Sequence, residues 1–216
     1  MKITGAIFDM DGTLLDSMDY WGSVASEYLR EIGIAPQDGE DRFFLESGMK
    51  EWYRHCVDIY GITLSYEEVK VGVYSAMNKK YATVVNLKDG ALELLERLSK
   101  AGVKMCLATA TDRPTVEMII KRLGIDKYFS RIFTAQEVGA GKREPVIYER
   151  ALEYLGTPKD ETYVFEDAYY ALVTAHGASF KTVGVYDKNV FVPREQILPL
   201  CTYFLDEDLK YHLDIE

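Results

Sequence analysis

The chain has 216 residues, of which 48% are hydrophobic, and it carries a formal net charge of -10. This length and apolar content predict one large domain, or a main domain with a smaller one. The negative charge argues against nucleic acid or an anionic membrane as a partner, because both attract basic surfaces. No apolar run is as long as a membrane span. The three cysteines are far apart, which is typical of reduced thiols. We expect a cytoplasmic protein and a monomer.

The first apolar run, ITGAIFDMD (3–11), predicts a buried β-strand, because it is nearly continuous rather than alternating. The next stretch, from 17 to 84, contains no convincing strand and only helical periodicity. Within it, SYEE (65–68) is a capping box that predicts a helix start. We expect residues 17–84 to form a small all-helical domain inserted after the first strand, as a lid. Residues 1–16 and 85–216 would then form the main α/β domain.

From residue 85 onward, apolar runs alternate with amphipathic helices. The predicted strands are VKMCLATA (103–110), SRIFTA (130–135), TYVFED (162–167), KTVGVYD (181–187) and TYFLDE (202–207). Apolar side chains recur at helical spacing over residues 91–98, 116–123 and 148–155. This alternation predicts an α/β fold with a doubly wound, mostly parallel, Rossmann-like sheet. Ligands of such sheets bind at the carboxyl ends of the strands.

The stretch DMDGTLLDS (9–17) places acidic residues directly after the first strand. Residues i and i+2 of an extended segment point to the same side, so Asp9 and Asp11 face together. Asp-Gly is also ordinary turn chemistry, and this stretch alone could be a surface turn. Polar groups follow the later strands as well, namely Thr109 with the backbone N–H of Ala110, Lys142 in GAGKREP, and the pair Glu166 and Asp167. Because parallel strands share their carboxyl edge, we expect these groups to converge on one site.

The residue types at this edge predict phosphoryl transfer. The carboxylate oxygens of Asp9, Asp11 and Asp167 are the ligands that Mg²⁺ prefers. One carboxylate could attack phosphorus, and the second could protonate the leaving oxygen and later deprotonate water. Lys142 and nearby hydroxyl or N–H donors could hold the phosphoryl oxygens.

Four short segments resemble the four motifs of the haloacid dehalogenase superfamily. They are DMDGT (9–13), Thr109, GK..P (141–145) and VFED (164–167). The helical stretch after the first motif resembles the cap domain of the branch that contains phosphoglycolate phosphatase and beta-phosphoglucomutase. The resemblance implies a catalytic α/β core with a helical cap. It also implies Mg²⁺-dependent hydrolysis of a small phosphorylated metabolite, a sugar phosphate or phosphoglycolate-like compound, through an aspartyl-phosphate.

Carried over position by position, the resemblance makes Asp9 the nucleophile and Asp11 the general acid and base. Thr109 and Lys142 would bind the phosphate, with Ala110 beside them. The ligands of Mg²⁺ would be Asp9, Asp11 through its backbone carbonyl, Asp167 and, through water, Glu166. The chain departs from the usual pattern after Lys142, where Arg143 stands in place of a proline.

Two residues of the predicted cap bear on the reaction. Proteins like beta-phosphoglucomutase carry a cap histidine and a cap arginine, which we align with Trp21 and Lys50. We expect both to contact the substrate, but an indole cannot exchange a proton with a sugar hydroxyl, and lysine lacks the planar fork of arginine. A phosphatase is therefore favoured, with a phosphosugar mutase as the alternative.

Three other readings are weaker. Asp11 argues against dehalogenation, because an alkyl halide needs no proton on its leaving group. A phosphoacceptor signalling module of the receiver type uses similar residues, but it has no helical lid after its first strand. A catalytically silent binding protein on the same scaffold would have no need to keep every chemical group of the site.

Overall fold

The computed structural model describes residues 2–205, in which six strands form one parallel sheet. The strands are β1 (Gly5–Phe8), β2 (Lys104–Thr109), β3 (Ile132–Thr134), β4 (Thr162–Glu166), β5 (Lys181–Val185) and β6 (Tyr203–Leu205). Their order in the sheet is β3-β2-β1-β4-β5-β6. The chain therefore winds outward from β1 in one direction and then from β4 in the other. The predicted α/β class with a doubly wound parallel sheet is confirmed.

The described residues form two compact units, each with most of its residue contacts inside the unit. One contains the residues up to Asp16 and those from Asn86 onward, and the other is Ser17–Val85. The second unit consists of the helices α1 (Met18–Glu31), α2 (Glu40–Ser47), α3 (Met49–Tyr60) and α4 (Tyr66–Thr83). The first unit holds the sheet and the helices α5 (Ala91–Lys100), α6 (Arg113–Arg122), α7 (Ala135–Val138), α8 (Val146–Leu155), α9 (Tyr169–Gly177) and α10 (Arg194–Ile197).

The core of the sheet unit lies between α8 and the central strands. Ile7 of β1 and Val164 of β4 are fully buried against Ile147, Tyr148 and Ala151 of α8. The apolar stripe of α8 faces the sheet because its members repeat at helical spacing. The helix ends at Gly156, whose φ of 60° is a left-handed conformation that glycine adopts without strain.

The helical unit is held together by polar as well as apolar contacts. The predicted capping box forms at the start of α4, where the Ser65 side chain accepts from the Glu68 N–H and the Glu68 carboxylate accepts from the Ser65 N–H. Buried Glu40 of α2 accepts hydrogen bonds from the Trp52 indole at 2.5 Å and the Tyr60 hydroxyl at 2.6 Å, both on α3. These bonds fix α2 against α3.

The helices and the last strand bear on two predictions made from the sequence. Within residues 2–205, no α-helix is both long and apolar enough to cross a membrane. The last predicted strand, 202–207, corresponds to β6, and its end at Asp206 and Glu207 lies outside the described residues.

Candidate active site

The first acidic residue is held at the end of β1 by backbone hydrogen bonds. The N–H of Asp9 donates to the carbonyl of Phe165 at 3.0 Å, which extends the ladder between β1 and β4 by one residue. The chain then turns sharply, because the N–H groups of Leu14 and Leu15 both donate to the carbonyl of Met10. Gly12 has a φ of 77° in this turn, a value that residues with a Cβ rarely adopt. Asp9 therefore stands at the edge of the sheet on a constrained backbone.

A buried lysine joins this residue to the end of β4. The Lys142 ammonium contacts the Asp9 carboxylate and also Oε1 of Glu166, the latter at 2.6 Å. The Tyr148 hydroxyl of α8 donates to the same Oε1 at 3.0 Å. Oε2 of Glu166 is equally buried, but it has no hydrogen-bond partner among the described residues. A buried carboxylate oxygen without a donor is costly unless a cation binds it.

Asp167 completes a cluster of carboxylates at this point. Oxygens of Asp9, Glu166 and Asp167 lie within 4.8 Å of one another, and all three residues are buried. The Thr13 hydroxyl donates to Oδ1 of Asp167 at 2.9 Å. The Lys142 ammonium contacts two of these three carboxylates, those of Asp9 and Glu166. Hard oxygens are the ligands of Mg²⁺. The residues present fit a hard divalent cation.

The pKa values at the site reflect this excess of negative charge. Burial, and then the Glu166 carboxylate, raise the pKa of Asp9 well above its usual value. The same two causes raise the pKa of Asp167 to about 7. Burial opposes the charge on Lys142, but the carboxylates of Asp9 and Glu166 outweigh it and raise its pKa. Lys142 therefore stays cationic, while full ionisation of the carboxylates calls for further positive charge.

The remaining predicted residues of the sheet unit lie after the ends of β1 and β2. The Thr111 hydroxyl donates to Oδ2 of Asp11 at 2.8 Å, and the Thr111 N–H donates to the Thr109 hydroxyl at 3.1 Å. Thr109 is buried, whereas Ala110 is exposed and Asp11 is half-buried. Asp11 is thus more open to solvent than Asp9, as a group that exchanges protons with water needs to be.

Trp21 and Lys50 belong to the helical unit. The Trp21 indole N–H donates to the Tyr81 hydroxyl at 3.0 Å, and its ring stacks with Phe44 at 6.2 Å between centroids. Trp21 is therefore engaged in packing within that unit. Lys50 is exposed in the first turn of α3. Their contact with substrate stays a prediction.

Sequence patterns did not identify several residues that hold the acidic side chains. Tyr148 lies on the apolar stripe of α8, so its spacing indicates core packing, although a buried tyrosine hydroxyl needs a partner. Thr13 follows the Asp-Gly turn, and its donation to Asp167 spans 154 residues of sequence. Thr111 follows the end of β2, and its donation to Asp11 spans 100 residues of sequence.

The carboxylate cluster lies between β1 and β4, where the winding of the sheet changes direction, which is where doubly wound proteins bind ligands. A family model described as haloacid dehalogenase-like hydrolase matches residues 6–185, which include all the site contacts above. The chain belongs to this family.

Several curated relatives of this chain are named for phosphatase activities. The chain is 29% identical over 181 residues to validoxylamine A 7'-phosphate phosphatase of Streptomyces hygroscopicus subsp. limoneus, which covers 83% of this chain and 84% of the relative. It is 28% identical over 189 residues to pyrophosphatase PpaX of Bacillus velezensis, with 85% and 83% covered. The prediction of an enzyme, a phosphatase of the haloacid dehalogenase type, is confirmed.

Solved structures share the fold over nearly the whole chain. A putative beta-phosphoglucomutase from Thermotoga maritima matches with a TM-score of 0.80 and 23% identity, covering 94% of each chain. CbbY from Rhodobacter sphaeroides, solved in complex with phosphate, has a TM-score of 0.80 and 22% identity, with 96% and 95% covered. At these identities the likeness shows the fold alone.

Proposed function

We propose that this protein is a Mg²⁺-dependent phosphatase that hydrolyses a small phosphorylated metabolite through a phosphorylated Asp9. The observation that carries the proposal is the convergence of three buried carboxylates at the switch point of the sheet, two of them in contact with Lys142. A structural ion pair would balance charge, whereas here three carboxylates cluster, one lysine contacts only two of them, and one carboxylate oxygen has no partner among the described residues. That arrangement suits a site that takes up a cation and a phosphoryl group.

The cation would be held by the carboxylates of Asp9, Glu166 and Asp167, with the carbonyl of Asp11 as a further ligand. When bound, it would neutralise the cluster and polarise a phosphoryl oxygen. Lys142, beside Asp9, would attract the phosphoryl oxygens to the nucleophile, and Thr109 with the Ala110 N–H would orient them.

In the first step, a carboxylate oxygen of Asp9 attacks phosphorus, and the bond from phosphorus to the ester oxygen breaks. Asp11 gives its proton to that leaving oxygen, so an alcohol departs and Asp9 is phosphorylated. In the second step, water attacks phosphorus and passes a proton to Asp11. The bond between phosphorus and Asp9 breaks, which releases phosphate and restores both carboxyl groups to their starting states.

Residues 17–84 are proposed to be the cap that limits the substrate to small molecules, with Trp21 and Lys50 as contacts. A mutase needs a cap group that moves protons to and from a sugar hydroxyl. The Trp21 indole does not ionise near neutral pH, and its N–H already donates a hydrogen bond to the Tyr81 hydroxyl. This contact favours hydrolysis over phosphoryl transfer within a sugar.

The experiment is a panel of phosphorylated compounds, with sugar phosphates, phosphoglycolate and pyrophosphate, assayed for phosphate release in Mg²⁺ and in EDTA. We expect phosphate release in Mg²⁺ and no phosphate release in EDTA. The Asp9→Asn variant should lose nearly all activity. The matched control is Asp16→Asn, which removes the same charge from an exposed residue of the same segment and should leave the activity intact. Full activity in EDTA, or a tenth of wild-type activity in Asp9→Asn, would contradict the mechanism.

The mutase alternative has its own test. The protein is incubated with β-glucose 1-phosphate, Mg²⁺ and a trace of glucose 1,6-bisphosphate. We expect phosphate to be released faster than glucose 6-phosphate forms. Glucose 6-phosphate formed well ahead of phosphate would make the protein a mutase.

A further inference from the structure

Arg143 lies next to the lysine of the site and has a different environment. The two residues are consecutive in the loop between α7 and α8, yet Lys142 is buried and Arg143 is exposed. The Arg143 guanidinium lies over the ring of Tyr170, with its carbon 4.6 Å from the ring centroid. The Arg143 side chain is therefore held against the ring instead of extending freely into solvent.

The ring of Tyr170 connects this arginine to the carboxylate cluster. Tyr170 is in the first turn of α9, three residues after Asp167, and 38% of its surface is exposed. The helix α9 starts just after Glu166 and Asp167, so Tyr170 follows the cluster by less than one helical turn. Arg143 in turn directly follows Lys142, whose ammonium contacts Asp9 and Glu166. Arg143 on that ring stands at the rim of the proposed phosphoryl site.

Arg143 also has free hydrogen-bonding capacity. Within residues 2–205, no carboxylate lies within 4.0 Å of its guanidinium, although the chain has 35 acidic and only 25 basic residues. Arg113, by contrast, is held by the carboxylates of Glu137 and Glu117. Stacking uses the face of a guanidinium and leaves its N–H groups directed outward in the plane, where they can bind an anion at two points.

We propose that Arg143 binds a second anionic group of the substrate, a carboxylate or a phosphate, beside the phosphoryl group that Asp9 attacks. This inference rests on the proposed phosphatase function and narrows its substrates to small phosphate esters that carry a second anionic group, a carboxylate or a phosphate. Lys142 would serve the reacting phosphoryl group and Arg143 the non-reacting anion. Tyr170 would position Arg143 by keeping its guanidinium at the rim.

The test compares substrates that differ only in the second charge. One pair is phosphoglycolate and 2-hydroxyethyl phosphate, and the other is glucose 1,6-bisphosphate and glucose 6-phosphate. The discrimination is the ratio of kcat/KM for the charged member to that for the uncharged member. We expect Arg143→Met to lower this ratio about tenfold or more in at least one pair, since a charge-assisted bidentate contact is lost. The pair that responds tells whether the group is a carboxylate or a phosphate.

Two further variants separate charge from position. Arg143→Lys keeps the charge without the fork, and Tyr170→Leu removes the platform, so each should give a smaller drop in the ratio than Arg143→Met. The matched control is Arg131→Met. Arg131 also lies over an aromatic ring, 5.1 Å from the Tyr154 centroid, but it precedes β3 at the opposite edge of the sheet. It should leave the ratio unchanged in both pairs.

The outcomes test the role of Arg143 separately from the proposed phosphatase activity. If the wild-type protein hydrolyses these esters and Arg143→Met lowers both members of each pair equally, or neither, the inference is wrong and the phosphatase function stands. If the wild-type protein hydrolyses no phosphate ester in Mg²⁺, both fail. A drop in the ratio for Arg131→Met as large as that for Arg143→Met would likewise overturn the assignment.

Discussion

At the scale of single residues, three of the four acidic side chains of the site accept a hydrogen bond from a neutral hydroxyl, and Lys142 contacts Asp9 and Glu166. Thr111 donates to Asp11, Thr13 donates to Asp167, and Tyr148 donates to Glu166. A hydroxyl fixes the direction of a carboxylate without cancelling its charge. Lysine or arginine in these places would hold the carboxylates equally well but would neutralise the charge that a metal ion needs.

The proposed acid role of Asp11 gives a prediction at this scale. Asp11→Asn should lose about 10²–10⁴-fold in kcat on an alkyl phosphate, the usual range for general acid–base catalysis. The loss should be much smaller for the first step on p-nitrophenyl phosphate, whose leaving group departs without a proton. Phosphate release and burst kinetics on both esters measure this. Asp9→Asn serves as the comparison, since removing the nucleophile should affect both esters alike, and equal losses in Asp11→Asn would leave Asp11 only a structural role.

At the scale of secondary-structure elements, the helical unit depends on a close contact between α1 and α4. Gly72 lies within α4, where glycine lowers helix stability relative to alanine. A Cβ built at Gly72 would come within 2.2 Å of the ring of Tyr28 on α1, so no larger residue fits without displacing that ring. The glycine is used for packing and not for a special backbone angle.

This contact predicts opposite effects for two Gly→Ala changes. Gly72→Ala should destabilise the protein by about 1–3 kcal/mol, as overpacking does. At the usual scaling for a chain of this size, that lowers Tm by roughly 2–10 °C. Gly177→Ala is the matched control, since Gly177 ends α9 with no atom within 4 Å of its Cβ position. It should be neutral or slightly stabilising. Thermal unfolding of the two variants checks this, and an unchanged Tm in Gly72→Ala would mean that Tyr28 moves aside freely.

At the scale of the whole molecule, folding gathers negative charge that is dispersed in the unfolded chain. Residues 9, 166 and 167 come together only when β1 pairs with β4. The raised pKa values of Asp9 and Asp167 record the resulting free-energy penalty. Sites that bind metal and substrate commonly carry such a penalty, and ligand binding relieves it.

The penalty makes stability depend on pH and on metal. The folded-state pKa of Asp167, about 7, lies above the ordinary aspartate pKa of 3.8, so folding favours the protonated form. The stability that protonated Asp167 gives the folded protein is fully present below about pH 4. It is lost as the pH rises through about 7. In metal-free buffer, Asp167→Asn should therefore be more stable than wild type by a margin that grows over this range and reaches about 3 °C or more in Tm near pH 8.

Metal should reverse this ranking. The proposed Mg²⁺ site forms only in the folded protein, so millimolar Mg²⁺ should raise the Tm of the wild type but much less that of Asp167→Asn. Differential scanning calorimetry across pH, with EDTA or Mg²⁺, measures both effects. Asp16→Asn controls for the loss of one exposed charge and should follow the wild type. A Tm of Asp167→Asn below that of the wild type in EDTA at pH 8 would contradict the account of the cluster.

The strands, most of the longer helices and the convergence of the acidic residues could be predicted from the sequence alone. The continuous apolar runs predict the parallel strands, because a strand covered on both faces has no polar side. The same patterns predict α5, α6 and α8 and the capping box of α4. Because the carboxyl ends of parallel strands share one edge, the spacing of Asp9, Lys142 and Asp167 was enough to predict that they converge.

The hydrogen-bond partners were decided by the tertiary structure. Tyr148 reads as a core residue in the sequence, and only the packing of α8 on the sheet brings its hydroxyl to Glu166. Thr13 meets Asp167 because β1 pairs with β4, and Arg143 meets Tyr170 because the loop before α8 lies beside the start of α9. A periodic pattern specifies which side of a segment is buried, since burial follows from local spacing. It does not specify which atom a buried polar group meets, because that depends on the register between strands far apart in the chain.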